Sequence, residues 1–119
     1  MANRNIQRPS IHTEPYPAIS EVTLQGSLVG QIAIITGAAG GLGKGESLSF
    51  ARAGAKLALI DIPRASDALA AVKAECEKLT QSVKIYFCNV TDEFESAKTL
   101  AQIEIELGPV DILVNNAGA

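Results

Sequence analysis

The chain has 119 residues, 47% hydrophobic and 19% charged, with a formal charge of −3. This is room for one domain, too apolar for a wholly disordered chain, and without a run near the roughly 20 apolar residues that span a bilayer. The ten Lys and Arg residues are scattered singly, so no basic stripe exists to neutralise a phosphate backbone, and neither nucleic acid nor membrane is expected as a partner.

Three of the five prolines (Pro9, Pro15, Pro17) fall before residue 30, where apolar positions follow no helical or strand period. Residues 1–30 are therefore predicted to be an N-terminal arm, partly disordered, and residues 31–119 the domain. Whether Tyr16, Pro17, Ile19, Val22 and Leu24 hold the arm against the domain or a partner is left open by the sequence. The opening residues lack the apolar core of a secretory signal. Cys76 and Cys88 form at most one bridge, and with His12 as the single histidine they complete no metal-ligand set. A reduced, cytoplasmic setting is expected.

Ile32 to Thr36 is an apolar run of the kind buried on both faces of a parallel sheet. Gly37, Gly40, Gly41, Gly43 and Gly45 then crowd the start of a helix that should end near Ala53, where Gly54 suits a left-handed C-terminal cap. A second strand is predicted over residues 56–61. After Pro63, the residues Ala65, Leu69, Val72, Cys76 and Leu79 recur at intervals of three and four and predict one buried helical stripe. The third strand is expected at 83–88. Asp92 and Glu95 have the spacing of a capping box ahead of a helix whose buried stripe should be Phe94, Ala97, Leu100, Ile103 and Leu107. Gly108-Pro109 ends that helix, and residues 110–115 form the fourth strand.

Four strands alternating with three helices, joined by right-handed crossovers, predict an α/β protein with a doubly wound parallel sheet in the order 3-2-1-4. This is half of a Rossmann dinucleotide-binding fold. A strand feeding a glycine turn that opens a helix suits phosphate, because glycine lets the backbone approach a ligand and the unpaired N–H groups of the helix N-terminus face its charge. The turn reads Thr36-Gly37-Ala38-Ala39-Gly40-Gly41-Leu42-Gly43. A triphosphate loop would need glycine in place of Ala38 and Ser or Thr in place of Gly45. The G-x-G-x-x-G pattern begun at Gly41 fails at Glu46.

The remaining spacing, T-G-x-x-x-G-x-G, resembles the nucleotide turn of the short-chain dehydrogenase/reductase family. The segment Gly108-Pro109-Val110-Asp111-Ile112-Leu113-Val114-Asn115-Asn116-Ala117-Gly118 is similar to that family's G-x-h-D-h-h-h-N-N-A-G at every fixed position. The resemblance implies an NAD(P)-binding portion of an oxidoreductase that moves hydride between a nicotinamide coenzyme and a carbonyl or alcohol. It places Gly37, Gly41, Leu42 and Gly43 at the pyrophosphate, gives Asn115 a structural role, and sets Asn116, Ala117 and Gly118 against the coenzyme ribose. Asp61, 18 residues past Gly43, stands near the ~20 expected of the carboxylate that accepts the adenosine ribose hydroxyls. NAD is expected over NADP, because a carboxylate there repels a 2′-phosphate, and Arg64 is the only nearby cation that would offset it. Asn89 and Val90 correspond to the adenine-contacting D-V-x-D segment, with Asn89 departing from the first Asp; a neutral amide makes a weaker bond than a charge-assisted one.

In the family a Ser and a Tyr-x-x-x-Lys pair carry hydride transfer, with Tyr exchanging the proton. Here the residue four places after Tyr16 is Ser20 and that after Tyr86 is Val90, so neither tyrosine is paired with lysine. The chain is expected to be a truncated, cofactor-binding part of such an enzyme, inactive by itself. A small-molecule substrate is expected only in a full-length form, and the resemblance leaves room for a homo-oligomer. The residues equally allow a non-catalytic NAD-binding or interaction module. Asn89-Val90-Thr91 also spells a glycosylation sequon, expected to go unused without a signal peptide.

Overall fold

In the computed structural model, which describes residues 28–116, the apolar run Ile32–Thr36 forms β1 and is buried along its whole length. Both its edges are paired in parallel: Ala33 lies opposite Leu57 of β2 (Lys56–Asp61) and opposite Ile112 of β4 (Ile112–Asn115). On the far side of β2, Leu57 pairs with Val83 of β3 (Val83–Phe87). The sheet order is β3-β2-β1-β4, the predicted topology, and it puts the C-terminal tips of β2, β1 and β4 side by side beneath the glycine turn.

Helices cover the two faces unequally. On one face, α1 (Gly41–Arg52) and α2 (Ser66–Glu77) bury Phe50, Ala51, Leu69, Val72 and Cys76 against Ala33, Ile35, Leu57, Leu59, Val83 and Val114. Alternation along the strands sends Ile34, Ala58, Ile60 and Tyr86 to the opposite face, where they meet Cys88 and Ile103 under α3 (Glu93–Glu106). Small residues let α1 lie close. Ser47, fully buried, satisfies its hydroxyl by donating to the Gly43 carbonyl at 2.7 Å. Gly54 takes φ +93° just past the helix end, the left-handed position foreseen for it. Upstream of β1, Leu28 packs on the first core and its N–H donates to the Ala53 carbonyl at 2.9 Å.

Two predicted stripes need correction. Pro63 opens a short 3-10 turn (Pro63–Ala65) before α2, and α2 stops at Glu77 with Lys78 as its C-cap, so the helical period ends before Leu79, which is 43% exposed. In α3 only Ile103 is fully buried; Phe94 is 80% exposed, Leu100 42%, and Ala97 lies in solvent. The cause is geometric. Each step of three residues falls about 60° short of a full turn, so a run of three such steps from Phe94 arrives at Ile103 about 180° away, on the opposite side of the helix. The capping box is half formed. Asp92 Oδ1 accepts from the N–H groups of Phe94 and Glu95 at 2.9 and 3.1 Å, but Glu95 reaches past the cap to accept from Asn89 N–H at 2.8 Å.

Candidate functional site at the glycine turn

Gly37 leaves β1 with φ +64°, a left-handed conformation that a side chain disfavours. The turn is then pinned from three sides: Ala38 N–H donates to the Ile60 carbonyl (3.1 Å), Ala39 N–H to Asp61 Oδ2 (3.0 Å) and Gly40 N–H to the Gly37 carbonyl (3.2 Å). Helical bonding begins with Lys44 N–H to the Gly40 carbonyl at 2.7 Å. That leaves the N–H groups of Gly41, Leu42 and Gly43 without an acceptor among the described residues. The N-cap residue Gly40 offers no side chain, and the first turn of α1 carries no acid. Three free donors at the positive end of a helix dipole form an anion-receptive surface.

The predicted glycines differ in what surrounds them. A Cβ on Gly43 would overlap the Gly37 carbonyl and come within 2.8 Å of Ala38 Cα, so this glycine lets α1 sit against the turn. A Cβ on Gly41 would meet nothing within 4 Å. Nothing in the packing of the described residues requires glycine at position 41, and among them the space beside it is open. Leu42 next to it is 62% exposed.

Asp61 ends β2 directly beside the turn. Its Oδ2 accepts from Ala39 N–H at 3.0 Å and its Oδ1 from Ile62 N–H at 2.8 Å. Two backbone donors thus orient the carboxylate while each oxygen keeps a further lone pair.

On the other side of β1, the β4 tip is locked to Thr36. The Thr36 hydroxyl donates to Asn115 Oδ1 at 2.7 Å and accepts from Asn116 N–H at 3.0 Å, while Asn116 Nδ2 donates to the Thr36 carbonyl (3.2 Å) and to Glu46 Oε1 (2.6 Å). The lower end of the same strand pair is held by Asp111, whose Oδ2 accepts from Ile32 N–H at 2.9 Å. Both asparagines therefore bind the sheet, and Asn116 keeps only its amide oxygen for anything else.

Asn89 and Val90 follow β3, at the outer side of Asp61, where Cys88 N–H donates to the Asp61 carbonyl at 3.0 Å. Both lone pairs of Asn89 Oδ1 are taken, by Thr91 N–H at 3.1 Å and the Thr91 hydroxyl at 2.6 Å. The oxygen foreseen as an adenine acceptor closes its own turn instead, and the Asn89 amide protons and the Val90 N–H have no acceptor among the described residues. Ala117 and Gly118 lie outside the described residues, as do His12 and most of the arm. Glu46 entered the sequence reading only as a mismatch to a glycine template. Its contact joins residues 70 positions apart and emerges only once β4 is known to lie beside β1. Among the described residues no group of His, Cys, Asp and Glu could hold a metal, and no helix is long and apolar enough to cross a membrane.

A doubly wound parallel sheet with a glycine turn at the tip of its first strand, an acid at the tip of the second and paired asparagines at the tip of the fourth defines an α/β protein of the Rossmann class. The family model for short chain dehydrogenases matches residues 31–119. A short chain dehydrogenase of Pseudocercospora fijiensis is 38% identical over 107 residues, 88% of this chain and 33% of that protein. An NAD+-bound xylitol dehydrogenase superposes with a TM-score of 0.72 at 32% identity, covering 77% of this chain and 35% of that one. A metagenomic short-chain oxidoreductase in complex with NADP gives 0.71 at 30% identity, over 78% and 41% of the two chains. The chain belongs to the short-chain dehydrogenase/reductase family, and it spans about a third of the length of the curated relatives it matches.

Proposed function

We propose that these residues form the coenzyme-binding part of a nicotinamide-dependent oxidoreductase, with NAD preferred over NADP. The observation that carries the reading is the row of three N–H groups at Gly41, Leu42 and Gly43, without an acceptor among the described residues, beside the fixed carboxylate of Asp61. The open space at Gly41 supports a pyrophosphate lying on the helix N-terminus, where those donors face its charge. Asp61 would accept the two hydroxyls of the adenosine ribose with the lone pairs its backbone bonds leave unused. Adenine would then lie beside Asn89 and Val90, met by the Val90 N–H and the Asn89 amide protons. Asn116, Ala117 and Gly118 would line the second ribose. The bound nicotinamide supplies the hydride acceptor or donor. Reaction at a carbonyl or alcohol is proposed for a longer protein, in which other residues hold the substrate and exchange its proton. Relatives in complex with NAD and with NADP support the coenzyme class in common, and the charge of Asp61 supports the choice between them.

At ~4 Å and an effective dielectric of ~20, Asp61 opposes each charge of a 2′-phosphate by about 4 kcal/mol before screening and relaxation. Calorimetric titration with NAD and NADP tests both parts of the proposal. NAD should bind and NADP should bind more weakly. Asp61→Asn removes the charge while its amide oxygen can still accept from Ala39 N–H, so the ratio of the two affinities should narrow at least about tenfold. An unchanged ratio removes Asp61 from the coenzyme site.

A further inference from the structure

Glu46 lies in the second turn of α1, half-buried, and its Oε1 takes one Asn116 amide proton at 2.6 Å. The Thr36 carbonyl takes the other at 3.2 Å. The Asn116 oxygen Oδ1 has no donor among the described residues. A carboxamide that faces a ligand can donate or accept, but here both donors are spent on the protein. Turning the amide over would set its oxygen against a carboxylate and a carbonyl and forfeit a charge-assisted bond. Asn116 is thus held as an acceptor, and an acceptor recognises a hydroxyl and not an anion.

The strand order says which hydroxyl. Asp61 ends β2 and Asn116 follows β4, with β1 and its glycine turn between them. A dinucleotide whose pyrophosphate lies on the turn and whose adenosine ribose meets Asp61 must carry its other ribose toward Asn116. We infer that Glu46 is a positioning residue: it fixes the Asn116 amide so that Oδ1 accepts from a hydroxyl of the nicotinamide ribose. This inference rests on the coenzyme reading above.

The test titrates the full chain, Glu46→Ala and Glu46→Gln with NAD, ADP-ribose and ADP. The first two ligands carry the second ribose and the third does not. Glu46→Ala should weaken NAD and ADP-ribose about fivefold or more, the worth of one net hydrogen bond, and leave ADP unchanged. Glu46→Gln keeps an acceptor oxygen and should restore both to within about twofold. The Asn116 side-chain amide resonances, followed by NMR without ligand, should move in Glu46→Ala and stay near their original positions in Glu46→Gln. Equal weakening of all three ligands, no weakening of any, or loss of the fold in Glu46→Ala would each overturn the positioning role. Failure of the unsubstituted chain to bind NAD would overturn the coenzyme reading and this inference with it, whereas binding that Glu46→Ala leaves untouched removes the inference only.

Discussion

A methyl group added at Gly41 meets open space, while one added at Gly43, two residues on, is driven into the Gly37 carbonyl. The two glycines therefore separate binding from folding. Gly41→Ala should leave stability unchanged or slightly raised, since alanine is the better helix former by up to about 1 kcal/mol, yet it should weaken NAD binding about tenfold by filling the approach to the free N–H groups. Gly43→Ala should cost about 3 kcal/mol, the scale of overpacking against a backbone that cannot retreat. Urea denaturation and calorimetry on the two variants read these effects independently, and equal destabilisation of both would contradict the difference in their surroundings. The spacing of the turn marked both positions as glycine, but only the path of the Gly37 carbonyl tells which is glycine for packing. Asp61 was legible because it ends a strand and its distance from the turn is local. The capture of Asn89 Oδ1 by Thr91 was not, because an amide's choice between neighbour and ligand depends on loop geometry.

At the scale of elements, α3 is the least secured. Apart from Ile103 and the partly buried Leu107, it is held by its Asp92 cap, by Glu95 and Ser96 bonded back to the Asn89 N–H and the Val90 carbonyl, and by Tyr86, whose hydroxyl donates to Glu106 Oε1 at 2.6 Å. Burial first, and the bond to Glu106 second, push the Tyr86 phenol above its ordinary value of 10.0. The same bond is the main cause that lowers Glu106 below 4.5. The signs are opposite. Tyr86 contributes stability that is complete below its ordinary value of 10.0 and is lost as pH rises toward the folded-state value. Glu106 contributes stability that is present above 4.5 and is lost as pH falls through its folded-state value. The advantage of the unsubstituted chain over Tyr86→Phe should therefore be level between about pH 5 and 9 and shrink toward both ends. Urea midpoints measured from below pH 4.5 to above pH 10.0 check it, and a difference that stays constant at acid and alkaline pH would show that the bond contributes nothing. The pairing that matters here was hidden from the sequence, where Tyr86 was weighed only as a partner for a lysine and no local signal joins it to Glu106, 20 residues on. Strands β1 and β2 and the cap at Gly54 were readable because their signals are local. The buried face of α3 was not, because steps of three residues drift around the helix and only contact with the sheet decides where the drift stops.

Across the whole molecule the sheet divides two cores of unequal size, and each holds one free, buried cysteine: Cys76 in the α1–α2 layer and Cys88 in the α3 layer. Burial raises the Cys76 thiol to about 11, with the charge of Glu75 adding to the effect, so in the folded state it is a poor nucleophile at neutral pH. Modification should then proceed through opening of the protein, and the two thiols report separately on the two layers. The α1–α2 layer encloses Leu57, Leu59, Leu69 and Ile35 completely, whereas Ile103 is the one helical side chain fully buried on the other side, and Phe94, Leu100 and Leu113 remain exposed there. At about 25 cal/mol per Å² of apolar surface, this asymmetry favours opening of α3 first. Alkylation at pH 8 in low urea, followed by peptide mass spectrometry, should label Cys88 about tenfold faster than Cys76. Tyr86→Phe should widen the gap by loosening α3 further, and NAD should slow labelling of both by stabilising the native state. Equal labelling rates at every urea concentration would mean that the two layers unfold together and that the thin α3 core is no weaker than the thick one.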